Sequence, residues 1–109
     1  MTSINPNSRR AAVLAASSTL SGEISLIEGC VRLYALSHEL VQTWHDDPDF
    51  LVFGVVASDT DHLPTGSARQ YWSPDALARE DRNIAAYEAK SRADILTACQ
   101  SIVSRFSDA

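Results

Sequence analysis

The chain has little of what most chemistry requires. Of its 109 residues only Cys30 and Cys99 are cysteine. Two thiols do not make a disulfide framework. Each sits among apolar neighbours, where free cysteine acts as a small hydrophobe, which implies reduced, buried thiols in a reducing, cytoplasmic compartment. Cys30 also falls mid-helix on an apolar stripe, which disfavours the thiolate a nucleophile needs. No apolar run approaches the ~18 residues of a membrane span. No serine lies in a nucleophile elbow or beside a plausible histidine in sequence. Thr65-Gly66-Ser67 is too short to cradle a phosphate, and no lysine follows it. The chain has no internal repeat and no low-complexity tract.

The most telling absence is of one charge. From Leu33 to Ala68 there is no Lys or Arg, yet the window holds Glu39, Asp46, Asp47, Asp49, Asp59 and Asp61. It also holds all three histidines, His38, His45 and His62. Its charge of -6 exceeds the -5 of the whole chain, so the remainder sums to +1. The acidity is local. It argues against nucleic acid, which needs clustered cations to neutralise phosphates, and against docking on anionic lipid. It suits a protein that meets a basic partner.

What is present describes one ordinary domain. The length fits a single unit with a modest core, and 45% apolar with 21% charged residues is a globular composition. Residues 1–7 are polar and read as a flexible terminus, leaving 8–109 as the domain. Arg9-Arg10 followed by Ala11 to Ala16 is similar to the start of a twin-arginine export signal. Ser17, Ser18 and Thr19 interrupt the apolar stretch, as suits an Ala-rich helix. That helix, capped by Asn7 or Ser8, runs to about Leu20 and stops at Gly22. A second helix spans about 23–41, with Leu26, Cys30, Leu33, Leu36 and Leu40 on one stripe and Ile24, Ile27, Val31, Tyr34 and Ala35 on another. Two stripes predict burial on most sides. Gly29 inside this helix points to the close approach of a neighbour.

Asp46-Asp47-Pro48-Asp49 reads as a stop and a turn. Phe50 to Ala57 then reads as a strand, apolar on both faces and needing cover on both, with Gly54 marking a bulge or a close backbone approach. Residues 68–72 suit a return strand. Ser73-Pro74-Asp75 starts a last helix, with Ser as N-cap, Pro at the first position and Asp against the positive end. That helix runs to the C-terminus, with a kink near Glu80-Asp81. The predicted class is α+β and mainly helical: three to four helices on a short strand or hairpin at 50–57 and 68–72.

Three groups of residues are candidate sites. Asp59, Asp61 and His62 could share a cation, which makes a metal-binding domain or metal-dependent hydrolase one alternative. About 25 Å of extended strand separates them from His45, Asp46, Asp47 and Asp49, so the two clusters cannot share one ion, and no spacing matches a known metal pattern. His38 sits near a helix C-terminus, where imidazolium suits the negative end; nothing orients it as a general base. Arg69, Tyr71 and Trp72 are residue types enriched at interface hot spots. Their internal reading pairs Arg69 with Asp59 or Asp61 and puts Trp72 in the core.

The strings Ile27-Glu28-Gly29-Cys30, Asp46 to Phe53, Thr60 to Pro64 and Arg69 to Pro74 resemble a family of small uncharacterised bacterial proteins. The resemblance covers most of the chain. It implies a bacterial cytosolic origin and brings no activity with it. The residues themselves favour a non-enzymatic interaction protein, with no cofactor, in one concrete form a small immunity or antitoxin protein. It would meet a basic protein partner through Asp46, Asp47, Asp49, Asp59, Asp61, Arg69, Tyr71 and Trp72, or pair as a homodimer. A small-ligand binder with a pocket between the second helix and the strand is a further alternative.

Overall fold

The computed structural model describes residues 5–64 and 66–107. It is a bundle of α1 (Pro6–Ser21), α2 (Leu26–Leu40), α3 (Pro48–Thr60) and α4 (Pro74–Phe106), with 3-10 turns at Trp44–Asp46 and Gly66–Tyr71. No strand occurs among the described residues. The α+β expectation is overturned: 50–57 lies within α3, and 68–72 falls on the second 3-10 turn and its end. Of the terminus 1–7, residues 1–4 lie outside the described residues. Asn5 caps α1, its side chain accepting the Asn7 N–H at 2.8 Å, so the helix begins earlier than expected.

The physical reason for the helix at 48–60 is its first turn. Asp47 accepts the N–H groups of Asp49 (3.0 Å) and Phe50 (3.2 Å). Pro48 occupies the first helical position, where its missing N–H costs nothing. Asp49 lies in the first turn, against the positive helix end. These are the features that start α4, where Ser73 accepts the Ala76 N–H at 3.2 Å. Pro48 opens a helix rather than stopping one. Burial then follows helical spacing: Phe50, Phe53, Gly54 and Val56 face inward while Leu51 and Val55 stay exposed, where the expected strand is covered on both faces.

Side-chain ties set the topology. Tyr87 donates to Asp59 at 2.9 Å and Ser101 donates to Asp49 at 2.5 Å, so α3 and α4 run antiparallel. Ser8 at the start of α1 donates to Glu39 at the end of α2. At the other end the Ile27 N–H reaches Glu88. The order is up-down-up-down, with α1 packed on α2 and α4, and α3 on α2 and α4. A helix of 33 residues spans about 50 Å, which is the 51 Å long axis of the molecule. The other helices are about half that length. The first three turns or so of α4 therefore project past the bundle, continuous with the rest of the helix through Glu80-Asp81 and accompanied by the connection from α3. No helix among the described residues is long and apolar enough to cross a membrane.

The core joins Ala12 and Ala16 of α1, Ile27 and Leu33 of α2, Phe50 and Phe53 of α3, and Ile95 and Ile102 of α4. Arg9 and Arg10 lie in α1, the helix that brings those alanines inward. The α2 stripe of Leu26, Cys30, Leu33 and Leu40 is buried as expected, with Leu36 half-buried. Its second stripe is not: Ile27 is buried, but Val31 and Ala35 are exposed. Gly22 ends α1 at φ 84°, the left-handed conformation that favours glycine.

Two other glycines are contact points. A Cβ on Gly29 would collide with the Thr19 hydroxyl and methyl of α1, and one on Gly54 would collide with the Trp44 ring. Thr19 cannot retreat easily, because it is buried and its hydroxyl is held by the Ala15 carbonyl at 2.7 Å. Gly29→Ala is therefore expected to cost about 1–3 kcal/mol, a drop of several degrees in Tm on thermal unfolding. An unchanged Tm would mean that α1 and α2 do not approach at this point.

Candidate functional site

The acidic cluster at the start of α3 is held mainly by the protein itself. Arg105, near the end of α4, donates to Asp47 at 3.0 and 2.8 Å and to Asp49 at 2.8 Å. Ser101 donates to the same Asp49 oxygen. The guanidinium also lies 5.8 Å from the Phe50 ring centroid and 5.1 Å from that of Phe106. Burial would raise the Asp47 carboxyl, but Arg105 and the N–H groups of Phe50 and Asp49 hold it below the usual carboxylate range. Asp46 stands outside this clamp and is exposed.

The second cluster sits at the opposite end of α3 and is not gathered round a point. Asp59 accepts the Tyr87 hydroxyl. Burial and that carboxylate push the Tyr87 phenol up to about 12. Asp61 occupies the C-cap position of α3, and His62 follows; both are exposed. No group of three or more His, Cys, Asp or Glu able to hold a metal occurs among the described residues. The histidines are separate: His38 packs edge-on against Tyr34, and His45 edge-on against Trp44.

Arg69 pairs with neither Asp59 nor Asp61. It reaches Asp81 on α4 at 2.7 and 3.1 Å, and the Pro64 carbonyl at 3.2 Å. It thereby ties the α3–α4 connection to the projecting turns. Trp72 does not fill the core. It is 37% exposed, and Tyr71 is 84% exposed. Trp72 directly precedes the Ser73 cap of α4, and Arg105 holds Asp47 and Asp49 near the other end of that helix, so the aromatic pair and the first acidic cluster lie most of its ~50 Å length apart.

A third surface was missed by sequence reasoning. Leu51 and Val55, one turn apart on the outer side of α3, are 41% and 46% exposed. With Val52, Val56, Tyr87, Ser91 and Asp94 they line an open groove of about 250 Å³ between α3 and α4. Its only charged lining residue is Asp94, and Asp59 lies beside Tyr87 at its end. Reading Asp47-Pro48-Asp49 as a helix start would have placed Leu51 and Val55 on one stripe. The groove can take an apolar residue flanked by cations. Ser91 and Tyr87 are the hydroxyl groups in its lining. Both thiols are buried, and burial pushes them up, Cys99 to about 11.

A family model described as "Protein of unknown function (DUF2489)" matches residues 10–102. The chain belongs to that family. The match spans the bundle from the first turns of α1 into the last turns of α4. No curated protein and no solved structure matches the chain.

The clamp has a pH signature. A carboxyl whose folded pKa lies below its unfolded value of about 4 adds stability above that value and loses it as pH falls through the folded one. Acid unfolding followed by circular dichroism is therefore expected to show stability falling below about pH 4. Arg105→Ala should flatten that dependence and cost about 1–2 kcal/mol at neutral pH, after allowing for partial exposure of the pair. An acid limb as steep in the variant as in the parent would remove Arg105 from this role.

Proposed function

We propose that this member of the DUF2489 family is a non-enzymatic interaction module that docks a basic protein surface on the outer side of α3. One observation carries the reading: α3 is apolar on nearly every side, yet only its inner half is covered. A helix hydrophobic all round belongs in a core or against another surface. Leu51 and Val55 supply adjacent apolar anchors. The only charged side chains on α3 itself are Asp49 and Asp59, and no cation occurs from Leu33 to Ala68. Apolar anchors with carboxylates at the edge favour a partner residue of the opposite pattern, an aliphatic or aromatic side chain flanked by Lys or Arg.

Asp46 extends the acidic edge at the start of α3, and Asp61 at its end. Asp47 and Asp49 act mainly by keeping α3 in place. Tyr71 and Trp72, at the start of the projecting turns of α4, offer a second aromatic contact for a partner long enough to reach well past the end of α3. The acidic balance disfavours nucleic acid and anionic membrane as occupants. Two buried free thiols suit a reducing, cytoplasmic setting. A small immunity or antitoxin protein is the concrete form of such a module when the cationic surface belongs to a foreign protein.

The test is affinity capture from the host with the full chain and with Leu51→Glu and Val55→Glu, both at exposed positions. The parent chain is expected to retain a basic protein that raised salt releases, and each variant is expected to lose it. A parent chain that retains neither a basic protein nor a further copy of itself through this face, or equal recovery by both variants, would overturn the reading.

A further inference from the structure

The cationic apolar surface that the α3 face requires is present on the chain itself. α1 and α3 stand at opposite corners of the bundle, each packed on α2 and α4. Their charges are opposite: α1 carries Arg9 and Arg10 and no carboxylate, and α3 carries Asp49 and Asp59 and no cation. Each also has an uncovered apolar stripe. On α1 it is Leu14, 68% exposed, with exposed Arg10 one turn before it. Beside Leu14 an open apolar groove of about 390 Å³ runs between α1 and α2, lined by Ala11, Ala35 and Leu36, with Arg32 at its edge. Arg32 is held on that surface by Glu28 at 3.0 Å, and Val31 next to it is 43% exposed.

We infer that the occupant of the α3 face is the α1 face of a second copy of this chain, in a head-to-tail contact. The inference rests on the α3 docking face proposed above and names its partner. The register follows from helical spacing. Leu51, Val55 and Asp59 succeed one another by one turn along α3; Leu14 and Arg10 succeed one another by one turn backward along α1. With the two helices antiparallel, Leu14 of one copy sits by Val55 of the next, and Arg10 meets Asp59. Asp59 gives one lone pair to Tyr87 and, like any carboxylate, has others free for a guanidinium. Donor and acceptor faces are different surfaces on different sides of the molecule, so the contact is heterologous. Each copy keeps one face open, and assembly grows to a ring or an open chain rather than stopping at a two-fold dimer.

Heterologous contacts have a decisive test. The full chain is examined by sedimentation over a range of concentrations, with Leu14→Glu and Val55→Glu alongside; both sites are exposed, and circular dichroism checks that each variant folds. The parent is expected to assemble beyond a dimer as concentration rises, and raised salt to weaken that association roughly tenfold or more. Each variant alone is expected to be monomeric. Mixed together they are expected to form a one-to-one dimer, because each retains the face the other has lost. A parent chain that stays monomeric, variants that assemble like the parent, or a mixture that gives no dimer would each overturn the inference. The α3 reading is tested separately: if Val55→Glu loses a captured basic protein while Leu14→Glu keeps it, the docking face stands and the second copy is not its occupant.

Discussion

Eight consecutive apolar residues, Phe50 to Ala57, must all belong to one helix, and a helix at the corner of a four-helix bundle has only half its surface to hide. The rest of the structure answers that constraint. Phe50 and Phe53 enter the core and meet edge-on, with centroids 5.6 Å apart. Val56 follows one turn later. Gly54 leaves a slot that the Trp44 ring occupies, which seats the 3-10 turn before the helix. Trp44 in turn packs edge-on against Tyr34 of α2 at 5.1 Å. Leu51 and Val55 are what remains once these positions are filled. Their exposure is a geometric consequence of the run rather than an isolated surface accident.

The acidic residues around that run divide by role once the helix is in place. At the α3 N-terminus, carboxylates are useful to the fold, because they satisfy unpaired N–H groups and oppose the helix dipole. Asp47 does this while also holding Arg105, so one carboxylate starts α3 and fastens α4. At the C-terminus the dipole has the opposite sign, and carboxylates there gain nothing from the helix. Asp59 finds Tyr87 instead, and Asp61 is left to solvent. The same residue type is therefore structural at one end of α3 and available at the other.

Much of the bundle was legible from spacing: the Gly22 stop, the buried α2 stripe, the close approach at Gly29 and the Ser73-Pro74-Asp75 start of α4. The failure at 50–57 has a specific cause. β-branched and aromatic residues in an unbroken run satisfy a buried strand and a buried helix alike, so composition could not decide. Asp47-Pro48-Asp49 could have decided it, but proline after an aspartate serves equally as a turn. Once 50–57 was read as a strand, Leu51 and Val55 fell on the same side as Phe53, and the exposed stripe disappeared from view. The partner of Arg69 was illegible for another reason. Asp81 lies on turns of α4 that project beyond the bundle, and local sequence does not report how far a long helix outruns its neighbours.

The ties at both ends of α3 bear on what its outer face can do. Arg105 and Ser101 hold the first turn to α4, and Tyr87 holds the last, so the stripe between them is backed by a helix pinned at two points. Docking on such a ledge orders little that is not already ordered, and association is spared much of its usual entropic cost. The aromatic pair Tyr71-Trp72 differs. It sits on a connection that Arg69 fastens to Asp81 through a bidentate but solvent-exposed pair, away from the bundle core. Contacts there would have to hold the connection as well as bind it. In the proposed docking, an apolar stripe on a helix pinned at both ends is thus the better anchor, and the aromatic pair, on a connection outside the bundle, is a second contact.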